Sequence, residues 1–77
     1  MKVSFDFRKL EGRIVERFGT RLEFAKAAGY TKSQLSARLN NKVDFGLSEV
    51  YELCTPELLD IAVPDIPAYF FTPRSYV

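Results

Sequence analysis

The apolar positions near the start of the chain recur with the spacing of an α-helix. Four apolar side chains, three or four residues apart, share one helical face: Phe7, Leu10, Ile14 and Phe18. We predict that Asp6 caps the start of this helix, because a side-chain oxygen there accepts hydrogen bonds from first-turn N–H groups. Gly19 directly follows the last apolar residue, where helices commonly end on glycine. The pattern therefore predicts a first helix up to residue 18.

Two shorter helices are predicted next, each opened by a threonine. The stretches TRLE from Thr20 and TKSQ from Thr31 match the capping box. In this motif the threonine hydroxyl accepts a hydrogen bond from the backbone N–H of the fourth residue, and the side chain of that residue accepts one from the backbone N–H of the threonine. Gly29 ends the second helix, and the Asn pair at 40–41 ends the third, since Asn tolerates the left-handed conformation. Apolar side chains supply the buried positions of the two helices: Leu22, Phe24, Ala25, Ala28, Leu35 and Leu39.

The C-terminal half predicts one broken helix and then an extended tail. Ser48 is expected to cap a fourth helix, which Thr55 and Pro56 divide into two pieces over 48–54 and 56–61. Prolines at 64 and 67 argue against a helix and a central strand, so residues 66–71 are predicted to be extended and to pack back on the helices. We predict an all-α fold of five short helices with an extended C-terminal tail over 62–77, in a single domain over 1–77.

Composition excludes several classes of function. The chain has 77 residues, one cysteine and no histidine. It therefore cannot form an internal disulfide, and neither a Cys/His zinc site nor a histidine general base is available. We predict no enzyme activity, no cofactor, no metal and no small-molecule ligand. No apolar run approaches the ~20 residues that span a bilayer, and no signal peptide is recognisable, so we expect a cytoplasmic protein without membrane contact.

Charge is distributed unevenly along the chain. Residues 1–42 hold ten basic and four acidic side chains, a net charge of +6, whereas residues 43–77 hold one basic and six acidic side chains, a net charge of −5. Such a division favours one surface for a polyanion and an acidic surface elsewhere. Lopsided charge also arises by chance in small domains, so charge alone leaves the partner open.

Residues 20–40 have the pattern of a helix-turn-helix. A small residue in the first helix, a glycine in the turn and a leucine in the second helix are spaced by four and six, at Ala25, Gly29 and Leu35. The small Ala lets the helices cross closely, and the Leu fills the crossing. With Leu35 and Leu39 facing inward, Ser33, Ala37 and Asn40 point outward, and short polar, amide and methyl groups suit base edges in a major groove. The same residues are also typical of a solvent-exposed helix face that binds nothing.

The stretch GTRLEFAKAAGYTKSQLSARLNNK resembles the helix-turn-helix of phage repressors and Cro proteins of the lambda-repressor-like fold. With the opening FDFRKLEGRIVERFGT, the segment LSARLNNKVDF and the closing DIPAYFF, the chain is similar to short Cro-like proteins of temperate phages and prophages of Gram-positive bacteria. Some members of that group are antirepressors that bind the phage repressor. Two positions depart from the pattern: Arg38 stands where the superfamily usually has an aliphatic residue, and Thr55-Pro56 looks like a two-residue insertion in the fourth helix.

The resemblance and the helical faces together imply specific roles. Four residues are predicted to read DNA bases: Lys32, Ser33, Gln34 and Ala37. Six are predicted to contact phosphates: Thr20, Arg21, Thr31, Arg38, Asn40 and Lys42. The predicted function is a Cro-like repressor that binds double-stranded operator DNA in a phage genetic switch.

A second function, from another class, is retained beside the first. In it the protein is an antirepressor that binds the phage repressor protein and relieves repression. Five residues of the acidic half are candidates for that contact: Glu49, Glu52, Glu57, Tyr69 and Phe70. Tyr69 and Phe70 can equally close the core. A homodimer is left open.

Overall fold

The computed structural model describes residues 3–74, which form five α-helices. They are α1 (Arg8–Phe18), α2 (Arg21–Ala28), α3 (Lys32–Leu39), α4 (Leu47–Leu53) and α5 (Ile66–Phe70), with a 3-10 turn over Val63–Asp65 just before α5. Within residues 3–74 there is no strand, only one isolated antiparallel bridge between Phe5 and Pro73. The predicted all-α, five-helix fold is confirmed. Along this part of the chain, no helix is long and apolar enough to cross a membrane.

Local signals in the sequence correctly place the ends of α2 and α3. The hydroxyl of Thr20 accepts a hydrogen bond from the N–H of Glu23 at 3.2 Å. At Thr31 both halves of the capping box are present, at 3.1 and 2.9 Å. Gly29 and Asn41 adopt positive φ angles of 83° and 61°, the left-handed conformation expected after each helix. Caps and glycines act on their immediate neighbours, so these features follow from sequence alone.

Two helix starts differ from the prediction by one or two residues. The residue preceding α1 is Phe7, and Asp6 lies one position earlier, where its carboxylate still accepts from the N–H of Arg8 at 2.9 Å. The residue preceding α4 is Gly46, so Ser48 lies inside the first turn and is not the cap. Instead, Glu49 reaches back toward the N–H of Gly46 at 3.4 Å.

One hydrophobic core joins all five helices. Fourteen apolar side chains are buried together: Phe7, Leu10, Ile14, Phe24, Ala25, Leu35, Leu39, Val50, Leu53, Cys54, Leu59, Ile61, Ile66 and Phe70. Full burial of a large apolar side chain is worth roughly 1.5–3 kcal/mol, so this cluster is the main source of stability. Leu22, predicted as an apolar member of α2, is instead 48% exposed.

The predicted helix over 56–61 is absent, and residues 54–59 form turns. The chain does break at Thr55-Pro56 as expected, but Leu58 and Asp60 both hydrogen-bond back to the carbonyl of Thr55 instead of continuing a helix. Two arginines of α1 hold this segment from outside. Arg13 donates to the carbonyls of Leu59 and Asp60, both at 2.8 Å. Arg17 donates to the carbonyls of Leu58 and Pro56 at 3.0 and 2.8 Å, and we call the two side chains the arginine clamp.

The prediction of an extended segment over 66–71 is wrong, since residues 66–70 form α5. Pro67 lies in the first turn of that helix, where its missing N–H is not needed and its fixed φ is favourable. The helical turn buries Ile66 and Phe70 against the core. Only residues 71–74 continue as an extended tail, which pairs with the N-terminal segment through a hydrogen bond from the N–H of Asp6 to the carbonyl of Thr72 at 2.7 Å. Residues 75–77 of the predicted tail lie outside the described residues.

Candidate interaction surfaces

Helices α2 and α3 pack closely through the residues that the sequence singled out. Ala25 and Leu35 are both buried in the core. The turn between the helices is Gly29-Tyr30-Thr31, and the N–H of Tyr30 donates to the carbonyl of Ala25 at 2.8 Å. The short turn and the small Ala bring the helices together, so that α3 presents its remaining faces to solvent.

The outward side of α3 forms a shallow depression of about 440 Å³ that contains no acidic side chain. It is lined by Lys32, Ser33, Ser36, Ala37, Asn40 and Lys42. Three of the four residues predicted to read bases and two of those predicted to contact phosphate therefore share one surface. Its groups are short, polar and basic, but their role in DNA contact stays a prediction.

The other residues predicted at bases or phosphates have local tasks. The side-chain oxygen of Gln34 accepts from the N–H of Thr31, and the hydroxyl of Thr31 accepts from the N–H of Gln34. Thr20 caps α2 in the same way. Arg21 is exposed and lies 3.4 Å from a carboxylate oxygen of Glu11. Each hydroxyl retains capacity to donate, and Gln34 retains its amide N–H groups, so these contacts restrict DNA contact without preventing it.

Arg38 and Glu49 were predicted on two different surfaces, but they bind each other. The Arg38 guanidinium donates to Glu49 at 2.8 Å and lies over the ring of Tyr30, 4.9 Å from its centroid. The hydroxyl of Tyr30 donates to the same carboxylate at 2.6 Å. Arg38 is only 17% exposed, so it faces α4 and not solvent. This trio, which we call the α3–α4 junction, removes Arg38 from the exposed basic surface and Glu49 from the exposed acidic one.

The α3–α4 junction also sets the protonation of its members. The hydrogen bond from Arg38, followed by that from Tyr30, keeps the pKa of Glu49 below its ordinary value despite partial burial. Burial and the hydrogen bond to Glu49 raise the pKa of Tyr30. Both effects favour an ionised Glu49 beside a neutral Tyr30 at neutral pH, which is the state that holds Arg38.

The acidic half is exposed on α4 and in the following turns. Glu52 and Glu57 are exposed as expected for a partner-binding surface. Tyr69 is half-buried, and the amino group of Lys9 lies 4.7 Å from the centre of its ring. Phe70 is only 2% exposed and touches Phe45 in the core, so the suggestion that it binds a partner is corrected.

Most cations of the basic half already have partners within the fold. Besides the arginine clamp and Arg38, four basic side chains contact a carboxylate or an aromatic ring: Arg8, Lys9, Arg21 and Lys26. The side-chain and backbone hydrogen bonds that Asp6 receives from Arg8 lower the pKa of Asp6 to about 2. These contacts hold the side chains in place but leave the net charge of +6 over residues 1–42 unchanged, because that figure already counts the acids of the same stretch.

Sequence reasoning missed two structural residues. The amide of Asn41 bonds both the N–H and the carbonyl of Phe5, at 2.8 and 3.0 Å, and so ties the N-terminal segment to the end of α3. Tyr30 joins the turn after α2 to α4. Both contacts span many residues in sequence, and the only local signal for either was the left-handed preference of Asn.

The metal-ligating and nucleophilic side chains of the described residues are dispersed or buried. Within residues 3–74 no three His, Cys, Asp or Glu side chains are placed to hold a metal ion. Cys54 is buried, and burial raises the pKa of its thiol, which keeps it protonated and unreactive. The surfaces described above are suited to binding.

Comparisons with known proteins identify a family and a similar solved structure. The sequence matches the family described as Protein of unknown function (DUF739) over residues 3–73. No curated protein matches the chain. The fold is similar to the solution structure of the modulator of repression (MOR) of the temperate bacteriophage TP901-1 from Lactococcus lactis, with a TM-score of 0.77 and 37% sequence identity. The match covers 88% of this chain and 89% of that one.

Proposed function

This chain belongs to the family described as Protein of unknown function (DUF739), and we propose that it modulates repression in the genetic switch of a temperate phage or prophage. One observation carries the proposal: 37% identity and a shared fold with a phage modulator of repression over nearly the full length of both chains. The likeness therefore extends beyond the fold to the sequence. The chain acts by binding and not by catalysis.

We propose that its partner is the phage repressor protein. A repressor binds operator phosphates with a basic surface, and an acidic protein surface is complementary to it. Glu52 and Glu57 are exposed in the half of the chain that carries a net charge of −5. Occupying the repressor's basic surface would compete with operator DNA and relieve repression. Opposite charge also accelerates encounter, so association should be fast and salt-sensitive.

The internal pairing of cations also favours a protein partner over DNA. Arg13, Arg17 and Arg38 bind carbonyls or Glu49, and releasing them to phosphate would leave those groups unpaired. A fold that needs its arginines for its own stability has fewer to offer a polyanion. On this observation we place a protein partner before operator DNA, the reverse of the order that the resemblance and the helical faces favoured.

The test combines the purified protein, the repressor of the same phage or prophage and the operator DNA of that repressor. We expect co-elution with the repressor in size-exclusion chromatography, and loss of the repressor's gel shift when the protein is added. Glu52→Lys and Glu57→Lys together should weaken the complex at least about tenfold, because two attractive contacts become repulsive. Each single variant, Glu52→Lys or Glu57→Lys, is compared with Glu23→Lys, which makes the same charge change on α2 and serves as the matched control.

Absence of co-elution at micromolar concentrations, with an intact gel shift by the repressor, would refute this function. An equal effect of the α2 control would show that net charge matters and the acidic surface does not.

A second function, operator binding in the manner of Cro, is supported by the acid-free depression on α3. That surface holds Lys32, Ser33, Ala37, Asn40 and Lys42. If it binds DNA, the protein alone should shift the intergenic DNA at low salt, and removing one phosphate-binding side chain should flatten the log–log salt dependence by about 0.9. Lys42→Ala should weaken all sequences equally, whereas Ser33→Ala should change which sequences are preferred. Salt-independent affinity would exclude this function.

A further inference from the structure

A groove between α2 and α3 adjoins the depression on the outward side of α3 and shares Lys32 and Ser36 with it. Its volume is about 280 Å³, and its apolar lining comes from Leu22, Ala25 and Leu35. The last two are buried core residues, so the groove reaches down to the helix crossing. Leu22 forms an exposed wall. A space of this size accommodates one or two side chains, which is less than the pockets that hold most small-molecule ligands.

The remaining lining of the groove is basic or neutral. Arg21, Lys32 and Ser36 complete it, with no carboxylate among them. Lys32 has no ion pair in the region from residue 3 to 74, and Arg21 shares only the 3.4 Å contact with Glu11. Arg21 and Lys32 are also the first residues of α2 and α3, whose N-terminal ends carry partial positive charge. An anionic group beside an apolar group is complementary to this arrangement.

We propose that the groove docks a segment of a partner protein that presents an apolar side chain next to an acidic one. A helix supplies this pairing on one face when the two residues are three or four positions apart. The apolar side chain covers Leu22 and the floor at Ala25 and Leu35, while the carboxylate lies between Arg21 and Lys32. The docking of this segment extends the proposed function, because it names a second contact with a protein partner. It rests on the proposed function only for the identity of that partner.

DNA is a poorer occupant of the groove. Base edges and phosphates are polar, and the thymine methyl is the principal apolar group in the major groove. A phosphate placed over Leu22 would lose hydrating water, and the apolar side chain would offer no hydrogen bond in its place. The adjacent depression on α3, where Ala37 lies among Lys, Ser and Asn side chains, is the better surface for DNA. Leu22 therefore distinguishes the two neighbouring surfaces.

The test uses an amide-detected NMR titration of the ¹⁵N-labelled full chain with a synthetic peptide. The probe is a blocked, helix-forming 14-residue peptide on an Ala/Gln background, with one Leu flanked by Glu three residues before and four after. We expect saturable shifts at Leu22, Lys32 and Ser36, with a dissociation constant on the order of 1 mM or tighter. Replacing the peptide's Leu by Ala, or both Glu by Gln, should weaken binding at least about fivefold.

Variants of the protein locate the site. Leu22→Ala and Lys32→Glu should each weaken the peptide at least about fivefold, because one removes the apolar wall and the other reverses the charge. Leu47→Ala and Lys26→Glu are the matched controls, since Leu47 is 75% exposed on α4 and Lys26 is an exposed cation of α2 outside the groove. Both controls should bind as the unchanged protein does.

Several outcomes would overturn the inference. They are the absence of shifts at several millimolar peptide, shifts centred on α4 or α5, equal binding by the Glu-to-Gln peptide, or shifts of the same residues with a 12-base-pair DNA duplex when the peptide does nothing. Peptide binding without repressor co-elution would keep the groove and refute the repressor as partner. Co-elution that is unaffected by Leu22→Ala and Lys32→Glu, with no peptide binding, would refute the groove as a docking site and keep the repressor as partner.

Discussion

The cations of α1 and those of the α2–α3 pair come from one basic stretch of sequence but meet different partners. Arg13 and Arg17 point at backbone carbonyls of residues 56–60 and stabilise a segment that has no helix of its own. Arg21 and Lys32 border a groove that is open to solvent. The first pair stabilises the fold, and the second is available to a partner.

This difference shows that the number of basic residues in a stretch of sequence does not give the number of cations available to a partner at the surface. Hydrogen bonds to charged donors contribute about 1.5–3 kcal/mol each where the acceptor is partly buried, whereas exposed ion pairs contribute less than about 1 kcal/mol. We therefore expect replacement of the α1 arginines to lower stability, and replacement of Arg21 or Lys32 to affect binding. Four predictions, in order of decreasing effect, compare side chains that fix the fold with exposed side chains that do not.

The largest effect is expected at Phe70, which joins α5 to the core on the α1 side. Phe70→Ala should cost about 3–5 kcal/mol, because it removes a buried ring and leaves a cavity. Marginal stability makes that loss sufficient to unfold much of the protein. Thermal and urea unfolding followed by circular dichroism measure it. Phe71→Ala, at a ring that is 40% exposed, should cost clearly less. Equal melting of the Phe70 variant and the unchanged protein would show that α5 is an accessory arm.

The second prediction concerns the core beneath the α2–α3 pair. Ala25→Leu should destabilise by roughly 1–3 kcal/mol, because Ala25 is buried in the core where α2 meets α3 and a larger side chain would push the two helices apart. Ala27→Leu, at an exposed position of the same helix, should stay within about 0.5 kcal/mol. Urea unfolding distinguishes the two. If both variants behaved alike, the close crossing of α2 and α3 would be refuted.

The third prediction compares the two groups of cations directly. Arg13→Ala should lower stability by about 1–2 kcal/mol, since two carbonyl acceptors lose their charged donor. Lys32→Ala should change stability by less than about 0.5 kcal/mol. Chemical denaturation in high and low salt measures both. A Lys32 variant as unstable as the Arg13 variant would erase the distinction between the two sides.

The smallest effect is the pH dependence of the α3–α4 junction. The pKa of Glu49 is lower in the folded chain than its ordinary value near 4.5, so its contribution to stability is present above that value and is lost as pH falls through the folded pKa. The pair is partly exposed, and we expect less than about 1 kcal/mol. Glu49→Gln should melt at a slightly lower temperature at pH 7 and show a shallower decline between pH 5 and pH 3. A decline identical to that of the unchanged protein would assign it to other carboxylates, such as Asp6.

Much of the fold was predictable because its signals are local. The spacing of Leu10, Ile14 and Phe18 predicts α1, and the threonine caps predict α2 and α3. The secondary-structure predictions that are wrong lie in residues 54–71, a segment that contains several prolines. Pro56 starts no helix although it follows Thr55, a residue that suits a helix start, whereas Pro67 lies in the first turn of α5. Burial of Ile66 and Phe70 decides between the two, and burial depends on the rest of the core.

The candidate surfaces were predictable only in part. The outward positions of α3 follow from helical geometry, so Ser33, Ala37 and Asn40 share one surface as expected. The pairing of Arg38 with Glu49 joins positions eleven apart on different helices, and no periodicity reveals it. Leu22 illustrates the same limit, since its place in an apolar pattern predicted burial but the crossing of α2 and α3 leaves it at the groove.

By itself the sequence determined the three N-terminal helices, their caps and the absence of a histidine-based or Cys/His metal site, because these depend on residue type and near neighbours. Only the tertiary structure decided which charges reach the surface, how the proline-rich C-terminal half folds and where an apolar groove opens. The physical reason is that each of these results from competition among distant groups. Backbone carbonyls without a helix attract the arginines of α1, and the core draws in whichever apolar residues lie within reach of it.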